Sequence, residues 1–490
     1  MPDSNSTAAI SADPTSPLAT SALVEQAFTR ACGAPLVKGN AVRLLKDGKA
    51  NYAAWVEAIG AARRSVFFEN YIIEDDEVGR ELASALAERA RAGVKVRLVR
   101  DWLGSLGGAS GRFWRTLTAA GAEVRVFNRP RIGSPLGWLS RDHRKTIAVD
   151  GDVAFVTGLC VSNRWLGDPK RGIPPWRDTG VEIRGPAVGF VERAFAEVWA
   201  TVGGQIPADE LAEPSQLSVM GDVPVRVIAG TPRKAELFRI DQLIACAAQR
   251  TLWLTDAYFV GFGPYVQALC AAAQDGVDVR LLVPSASDLP LVAALSRAGY
   301  RPLIEAGVRV FEWNGSMLHA KTAVADGRWA RVGSSNLNLA SFISNYEIDV
   351  AIEHDGLARE MEAMYLADLE NATEIVVDPK RRVVPERTPA ESSEESTVGP
   401  RGASGRAVGA VRFAHAVGNV IIRSRLVGFA QSRLMVVFGA LLLALTAVSV
   451  LWPRVVASPL AVLAAWLGVA LVVNGVRLRR RRRRVDRASA

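Results

Sequence analysis

Two nine-residue stretches decide the fold of this chain: residues 143–151 read HRKTIAVDG, and residues 319–327 read HAKTAVADG. In each stretch a His and a Lys two positions apart precede an Asp-Gly pair. A single His-x-Lys is common by chance, whereas two copies with the same internal spacing are a specific signal. Since alternate residues of an extended strand face the same side, each stretch presents an imidazole and an ammonium group to one surface.

The two stretches occupy equivalent places in two copies of a longer repeat, and the repeat region runs from about Gly39 to Ile375. Each copy begins with an apolar strand, SVFFENYI at 65–72 and TLWLTDAYFV at 251–260, and continues with helices that stop at glycines before further strands. This order predicts helices on a largely parallel sheet. We therefore predict an α/β fold with two tandem α/β/α sandwich domains, residues 39–215 and 216–375, related by pseudo-two-fold symmetry.

The net positive charge of the chain comes from its C-terminal tail. The 490 residues carry a formal charge of +9, but residues 401–485 contain no Asp or Glu and end close to a run of six arginines at 479–484. The remainder is near neutral, which disfavours a nucleic-acid partner. The four cysteines show no CxxC pairing and no spacing shared with histidines, so we expect free, mostly buried thiols, no metal site and no cofactor.

The segments outside the repeats differ in composition. Residues 434–452 and 455–476 are uncharged apolar runs, and the first spans roughly 28 Å as a helix, enough for a bilayer core. Arginines flank both runs, which predicts a two-helix transmembrane hairpin in the cell (inner) membrane with the catalytic domains cytoplasmic. A hydrophobic hairpin buried in a soluble protein is the alternative. Residues 1–38 are predicted to form a disordered N-terminus and lead-in, and residues 376–409 a disordered linker. Residues 410–433 are expected to form a basic amphipathic segment that either lies on anionic lipid or packs as an ordinary helix. Residues 477–490 are expected to form an Arg-rich cytoplasmic tail.

If the pseudo-dyad brings the two stretches together, two histidines and two lysines share one pocket. Such a pocket suits phosphodiester exchange. One neutral imidazole attacks phosphorus, and the other, protonated, donates a proton to the leaving oxygen. The lysines neutralise charge on the transferring phosphoryl group.

These repeats resemble the HKD motifs of the phospholipase D superfamily, and within it the chain resembles bacterial cardiolipin synthases. The resemblance covers about Asn40 to Ile375, and the supporting text includes ENYIIEDDEVG (69–79), RDWLGS (100–105), WRDTGVEIRGPAV (176–188), VGSSNLNLASF (332–342) and NYEIDVAI (345–352). It implies that His143 is the nucleophile and His319 the general acid, or the reverse. It further implies that Lys145, Lys321 and Asn336 bind phosphate and that Asp178 and Glu347 orient the imidazoles.

Further candidates come from the same alignment of the repeats. Asp150 and Asp326 complete the motifs and are counted with the catalytic set, but each ends a strand before Gly, so we expect them to stabilise turns rather than to touch substrate. Ten residues beyond them lie Cys160 and Asn336, so the first copy has Cys where most cardiolipin synthases have Asn. The remaining candidates for phosphate or substrate contact are Ser162, Asn163 and Ser334, together with Arg131 and Trp138 in a loop at 129–141 that the second copy lacks.

The resemblance implies transfer of a phosphatidyl group between two phosphatidylglycerols, through a phosphohistidine, to give cardiolipin and glycerol. Hydrolysis of phospholipids to phosphatidic acid is an alternative, because water and alcohols compete for the same intermediate. A nucleic-acid phosphodiesterase or a non-catalytic lipid-binding scaffold are further alternatives. The expected partners are phospholipid substrate and a bilayer with anionic lipids, with no nucleic acid.

Overall fold

The computed structural model describes residues 17–130, 140–377, 383–385 and 466. The strands, in chain order, are β1 Val37–Lys46, β2 Ser65–Asn70, β3 Lys95–Asp101, β4 Glu123–Phe127, β5 Thr146–Val149, β6 Val153–Thr157, β7 Thr179–Arg184, β8 Val223–Gly230, β9 Thr251–Thr255, β10 Asp278–Pro284, β11 Arg309–Trp313, β12 Thr322–Ala325, β13 Trp329–Gly333, β14 Glu347–Glu353, β15 Ala372–Val377 and β16 Val383–Pro385. The helices are α1 Pro17–Cys32, α2 Asp47–Ala61, α3 Glu77–Arg91, α4 Gly111–Ala119, α5 Ala187–Gly203, α6 Glu236–Ala247, α7 Gly263–Gln274, α8 Pro290–Ala298, α9 Tyr300–Glu305, α10 Leu339–Ile343 and α11 Asp355–Leu369.

The strands form one sheet in which the two repeats have the same strand order. The order is β16-β15-β11-β10-β9-β12-β13-β14-β8-β1-β7-β6-β5-β2-β3-β4. Reading outward from the β1/β8 seam, β1-β7-β6-β5-β2-β3-β4 in one copy corresponds to β8-β14-β13-β12-β9-β10-β11 in the other. The two copies of the α/β domain that the repeat predicts are therefore present.

The expectation of a largely parallel sheet was wrong. Only β2, β3 and β4, and β9, β10 and β11, pair in parallel, while β5, β6 and β7 and their counterparts pair antiparallel. The Asp-Gly pair that ends each motif accounts for the antiparallel pairing of β5 with β6 and of β12 with β13. Asp150 and Gly151 have φ of 58° and 75°, and Asp326 and Gly327 have 54° and 65°. Two consecutive positive φ angles make the tight turn of a β-hairpin, whose strands must run antiparallel.

Alternating side chains place helices on both faces of the sheet. In β2, Val66 and Phe68 face the apolar core beneath α2, α3 and α4, whereas Phe67 faces a second core that contains α5. In the second repeat, α6, α7 and α9 cover one face and α11 covers the other. The α/β/α layering predicted from the sequence is therefore confirmed in both copies.

Helix α3 illustrates how local sequence sets these elements. The Asp76 side chain caps its first turn by accepting a hydrogen bond from the Gly79 amide. Leu82 and Leu86 are spaced to face the sheet, and both are buried. The chain leaves the helix through Gly93, whose φ of 88° suits a residue without a side chain, and enters β3.

The two copies share one core across the seam. β1 and β8 pair antiparallel, with Val37 opposite Val225 and Asn40 opposite Val223. Helix α5 packs on β8 of the other copy as well as on its own strands, and the core that it covers contains residues of both repeats. This continuity fixes the relative position of the two motifs.

Two chain segments differ from their predicted state, and others lie outside the described residues. Helix α1 occupies part of the lead-in expected to be disordered, because Glu25 and Thr29 both bind the buried Arg226 guanidinium of β8. Strand β16 lies in the expected linker and pairs with β15. The segments 386–433 and 477–490 and, apart from Trp466, the predicted transmembrane hairpin 434–476 are not described. No helix in the described part of the chain combines the length and apolarity needed to cross a bilayer.

Candidate active site

The two His-x-Lys segments lie just before β5 and β12, and each is bonded to the other repeat. The His143 amide donates to the carbonyl of Tyr346 at 2.9 Å, and the His319 amide donates to the carbonyl of Arg177 at 2.7 Å. Tyr346 precedes β14 of the second copy, and Arg177 precedes β7 of the first. Each motif is thus held against the strand that carries the acidic candidate of the opposite repeat.

Each imidazole is oriented by a carboxylate from the other repeat. His143 Nδ1 lies 2.9 Å from Glu347 Oε2, and His319 Nδ1 lies 2.8 Å from Asp178 Oδ2. An ionised carboxylate only accepts, so Nδ1 carries the proton and donates. This tautomer leaves the Nε2 lone pair of each ring free for chemistry.

The two lysines are buried beside the histidines. Lys145 donates to the carbonyl of His143, and Lys321 donates to the carbonyl of His319. Lys321 Nζ also lies 2.9 Å from His319 Nδ1, but that nitrogen already donates to Asp178, so we interpret this contact as a charge next to the ring rather than as a hydrogen bond. The charge of each lysine lowers the pKa of both histidines, which indicates that the four groups surround one space.

Burial keeps both imidazoles neutral in the empty pocket. It lowers the pKa of His143 to about 4, against the opposing effect of Glu347, and it lowers the pKa of His319 to about 3, with Lys321 acting in the same direction. Burial also lowers the pKa of Lys321 to about 8, and the charge of Lys145 contributes. At neutral pH the pocket therefore holds neutral rings between two cations.

The orienting carboxylates stay ionised although burial alone would raise their pKa. The hydrogen bond from His319, together with the charge of Lys321, holds the pKa of Asp178 below its ordinary value. For Glu347 the interaction with His143 and the charge of Lys145 have the same effect. Both carboxylates can therefore accept hydrogen bonds from their imidazoles.

The two carboxylates have different secondary partners. Ser334 Oγ donates to Glu347 Oε2 at 2.6 Å, so Ser334 supports the carboxylate and is not the phosphate contact expected from the sequence. The equivalent position in the first repeat is Gly158, where a Cβ would lie 2.2 Å from Asp178 Oδ1. There the second donor is the indole of Trp165, with Nε1 2.8 Å from Asp178 Oδ2.

Aromatic rings surround both histidines, and sequence reasoning did not assign them to the site. The centroids of Tyr71 and His143 are 4.8 Å apart, and Tyr258 and His319 are 5.7 Å apart. Trp165 and Trp176 lie 5.2 and 5.7 Å from the ring of His319. The signal for the tyrosines was their recurrence at matching places in the two repeats.

The remaining phosphate candidates, Asn336 and Cys160, are both buried. Cys160 lies near the lysines: burial raises the pKa of its thiol, and the charges of Lys145 and Lys321 lower that pKa. The side-chain oxygen of Asn336 has no hydrogen-bond partner among the described residues.

The other two phosphate candidates are structural, which corrects the sequence prediction. Ser162 Oγ donates to Glu74 Oε2 at 2.7 Å, and Asn163 Oδ1 accepts from the Val78 amide of α3 at 3.1 Å. These bonds tie the loop after β6 to α3. The hydroxyl of Ser162 is thus used by Glu74, and the amide oxygen of Asn163 by α3.

The motif aspartates stabilise turns, as expected from the Asp-Gly pairs, and their place in the catalytic set is corrected accordingly. The Asp150 carboxylate accepts from the amides of residues 63, 64 and 65, and the Asp326 carboxylate accepts from those of residues 249, 250 and 251, at 2.7–2.9 Å. Both aspartates therefore brace the hairpin turn against the start of β2 or β9. Arg131 and Trp138 lie outside the described residues.

The cysteines are free thiols, as expected, although only two of the four are buried. Cys32 and Cys160 are buried, Cys270 is partly exposed and Cys246 is exposed. The expectation of mostly buried thiols therefore holds for half of them.

Two α/β/α copies that converge on paired His-x-Lys motifs define a protein of the phospholipase D class. The family model described as "Cardiolipin synthase, PLD-like domain" matches the chain twice, at residues 55–166 and 241–369. The chain is 36% identical over 368 residues to cardiolipin synthase A of Pseudomonas aeruginosa, covering 73% of each protein. It is 33% identical over 345 residues to the cardiolipin synthase of Geobacillus sp. (strain WCH70), covering 70% of this chain and 68% of that protein.

The chain belongs to the cardiolipin synthase family of phosphatidyltransferases. Among solved structures, phosphatidylserine synthase of Haemophilus influenzae superposes with a TM-score of 0.58 at 14% identity, covering 82% of this chain and 99% of that one. That similarity concerns the fold alone.

Proposed function

We propose that the protein transfers a phosphatidyl group from one phosphatidylglycerol to another, which yields cardiolipin and glycerol. The observation that carries the proposal is the crossed pairing of His143 with Glu347 and of His319 with Asp178. It supplies two imidazoles with free Nε2 atoms in one buried pocket, one for each partner of a phosphodiester exchange.

In the first step, His143 Nε2 attacks phosphorus of the donor lipid. A P–N bond forms and the P–O bond to the glycerol headgroup breaks. His319 donates a proton to the departing oxygen, so that glycerol leaves as a neutral alcohol. The product on the enzyme is a phosphatidyl group bound to His143, with His319 neutral.

In the second step, the neutral His319 takes the proton from a hydroxyl of the second phosphatidylglycerol. That oxygen attacks phosphorus, the P–N bond breaks, and cardiolipin leaves. His319 is protonated again and His143 is free. The reverse assignment of the two histidines balances equally well, because each ring has its own carboxylate.

Substrate binding lets the pocket take up from solvent the proton that it lacks when empty. Both imidazoles are neutral there because burial and the lysines lower their pKa. An anionic phosphodiester between Lys145 and Lys321 offsets the charge of the lysines, so it favours protonation of one imidazole. The pocket thus selects an anionic substrate and becomes competent on binding it.

We also propose that the protein is associated with the cell (inner) membrane, since both substrates are lipids. The apolar runs 434–452 and 455–476 would anchor it, with the Arg-rich flanks and the catalytic domains on the cytoplasmic side. Anionic lipid is the expected partner of these flanks.

The test is a product assay with the full-length protein in phosphatidylglycerol vesicles. With wild type, mass spectrometry should find one glycerol for each cardiolipin formed. The control variant His354→Ala should give the same two products in the same ratio. Neither product should form with His143→Ala or His319→Ala. His354 is a matched control because its ring caps α11 outside the pocket. Phosphatidic acid as the only lipid product would instead establish hydrolysis and refute the proposed transfer.

A further inference from the structure

A hairpin at residues 166–175 extends from the wall of the pocket. Its two ends are Trp165 and Trp176, buried residues whose rings are 4.9 Å apart and both of which lie against His319. Between them the chain reads LGDPKRGIPP, and every residue from 169 to 175 is exposed. The hairpin is therefore joined at both ends to aromatic residues that contact His319.

The hairpin has a defined conformation. Asp168 pairs antiparallel with Ile173, and the Asp168 side chain accepts hydrogen bonds from the amides of Lys170 and Arg171. A Cβ at Gly167 would lie 2.4 Å from the carbonyl of Ile173, so the two arms are in close contact. A fixed conformation means that its exposed side chains are presented in a constant arrangement.

The exposed side chains combine aliphatic and basic groups. Leu166 and Ile173 are 38% and 42% exposed, and they are two of the seven large hydrophobic side chains that are exposed in the described part of the chain. Pro169, Pro174 and Pro175 add apolar surface, and Lys170 and Arg171 lie at the tip. Aliphatic groups beside cations, with the only acid used as a cap, match the boundary between the acyl chains and the anionic headgroups of a bilayer.

We propose that this hairpin inserts into the headgroup region of an anionic bilayer and holds the pocket against the lipid. The inference rests on the proposed function, which requires two membrane lipids to reach His143 and His319. Leu166 and Ile173 would enter the apolar boundary, and Lys170 and Arg171 would contact headgroup phosphates. A lipid headgroup would then reach the pocket along the wall formed by Trp165 and Trp176.

The first test measures insertion without catalysis. An environment-sensitive fluorophore is attached to Ile173→Cys in full-length protein that also carries Cys246→Ser and Cys270→Ser, so that only buried native thiols remain. Phosphatidylglycerol vesicles should shift its emission to shorter wavelength, and phosphatidylcholine vesicles should shift it less. The control is Met220→Cys in the same background, because Met220 is more exposed, at 51%, and lies outside the hairpin. No shift at position 173, or an equal shift at position 220, would overturn the inference.

The second test separates docking from chemistry. Leu166→Glu with Ile173→Glu should lower transfer on phosphatidylglycerol vesicles at least tenfold and leave the rate on monomeric short-chain phosphatidylglycerol within twofold of wild type. Val219→Glu with Met220→Glu places the same charges on a more exposed pair and should change neither rate. Equal vesicle rates for the two double variants would refute the hairpin's role. Absence of transfer by wild type on both substrates would refute the proposed function instead.

Discussion

Replacement of Glu347 by glutamine tests whether the carboxylate sets the tautomer of His143. Glu347 Oε2 accepts from His143 Nδ1 at 2.9 Å and from Ser334 Oγ at 2.6 Å, and Oε1 accepts from Asn345 Nδ2 at 3.2 Å. A glutamine cannot satisfy all three donors. If its oxygen faces His143, its amide nitrogen opposes the donor of Asn345. If its nitrogen faces His143, Nδ1 must accept, and the proton moves to Nε2, which can then no longer attack phosphorus.

The expected loss follows from these contacts. A hydrogen bond to a charged group contributes about 1.5–3 kcal/mol, and each 1.4 kcal/mol is tenfold in rate, so misorientation alone lowers turnover by about 10- to 100-fold. The wrong tautomer raises the loss toward about 10⁴-fold, as in triads that lose the equivalent carboxylate. We expect a total loss of about 10²- to 10⁴-fold.

The assay is phosphatidyl transfer by Glu347→Gln, with Ser334→Ala as the matched control. Ser334→Ala removes one donor to the same carboxylate but keeps its charge and the tautomer of His143. The rate of phosphatidyl transfer should therefore fall roughly fivefold, which corresponds to about 1 kcal/mol. The reasoning fails if Glu347→Gln, with an unchanged thermal unfolding transition, stays within tenfold of wild type. It fails equally if Ser334→Ala loses as much activity as Glu347→Gln.

Three further predictions concern the other motif residues. His143→Ala and His319→Ala should each lower the rate of transfer by about 10³-fold or more. When wild type reacts with labelled phosphatidylglycerol and is quenched without acid, the label should remain on one of these histidines. Label on neither histidine would contradict the phosphohistidine. Asp150→Asn and Asp326→Asn should each lower the free energy of unfolding by about 1–3 kcal/mol in denaturant titrations. In each variant three backbone amides lose a charged acceptor. The value of kcat should change less than about threefold. The pKa of Lys321 is lowered to about 8, so its charge is present below that pH and lost above it. The value of kcat/KM should therefore fall as pH rises through about 8. A pH profile that stays level to about pH 10 would contradict this role of Lys321.

The sequence predicted the repeat, the motifs and the acidic partners because these features are local patterns that recur. Its failures have two physical causes. The parallel expectation came from the alternation of strands with helices, which holds for β2–β4 and β9–β11, and it did not carry the Asp-Gly turns through to antiparallel hairpins. Ser162 and Asn163 were candidates because Cys160 stands where the second copy has Asn336, whereas their contacts are with α3 and the segment before it.

The crossing of partners between the repeats could not be predicted in the same way. His143 and Glu347 are 204 residues apart, and His319 and Asp178 are 141 residues apart. Which carboxylate meets which imidazole depends on the seam between β1 and β8, and neither strand belongs to a motif. The recurrence of a His and an acid in each copy is equally consistent with pairing within a copy, and only the folded seam distinguishes the two arrangements.

The departures from symmetry in the pocket give the two histidines different surroundings, which the chemistry requires. One ring must form a bond to phosphorus while the other only exchanges a proton, so two identical half-sites would compete for the same role. Ser334 supports Glu347, but a serine at Gly158 would collide with Asp178, and Trp165 supplies the missing donor while also contacting His319. The indole that replaces the hydroxyl thus widens the aromatic wall on the His319 side alone. If lipid enters along the hairpin at 166–175, as we propose, it meets His319 first, which favours His319 as the ring that handles the alcohol and His143 as the ring that holds the phosphatidyl group.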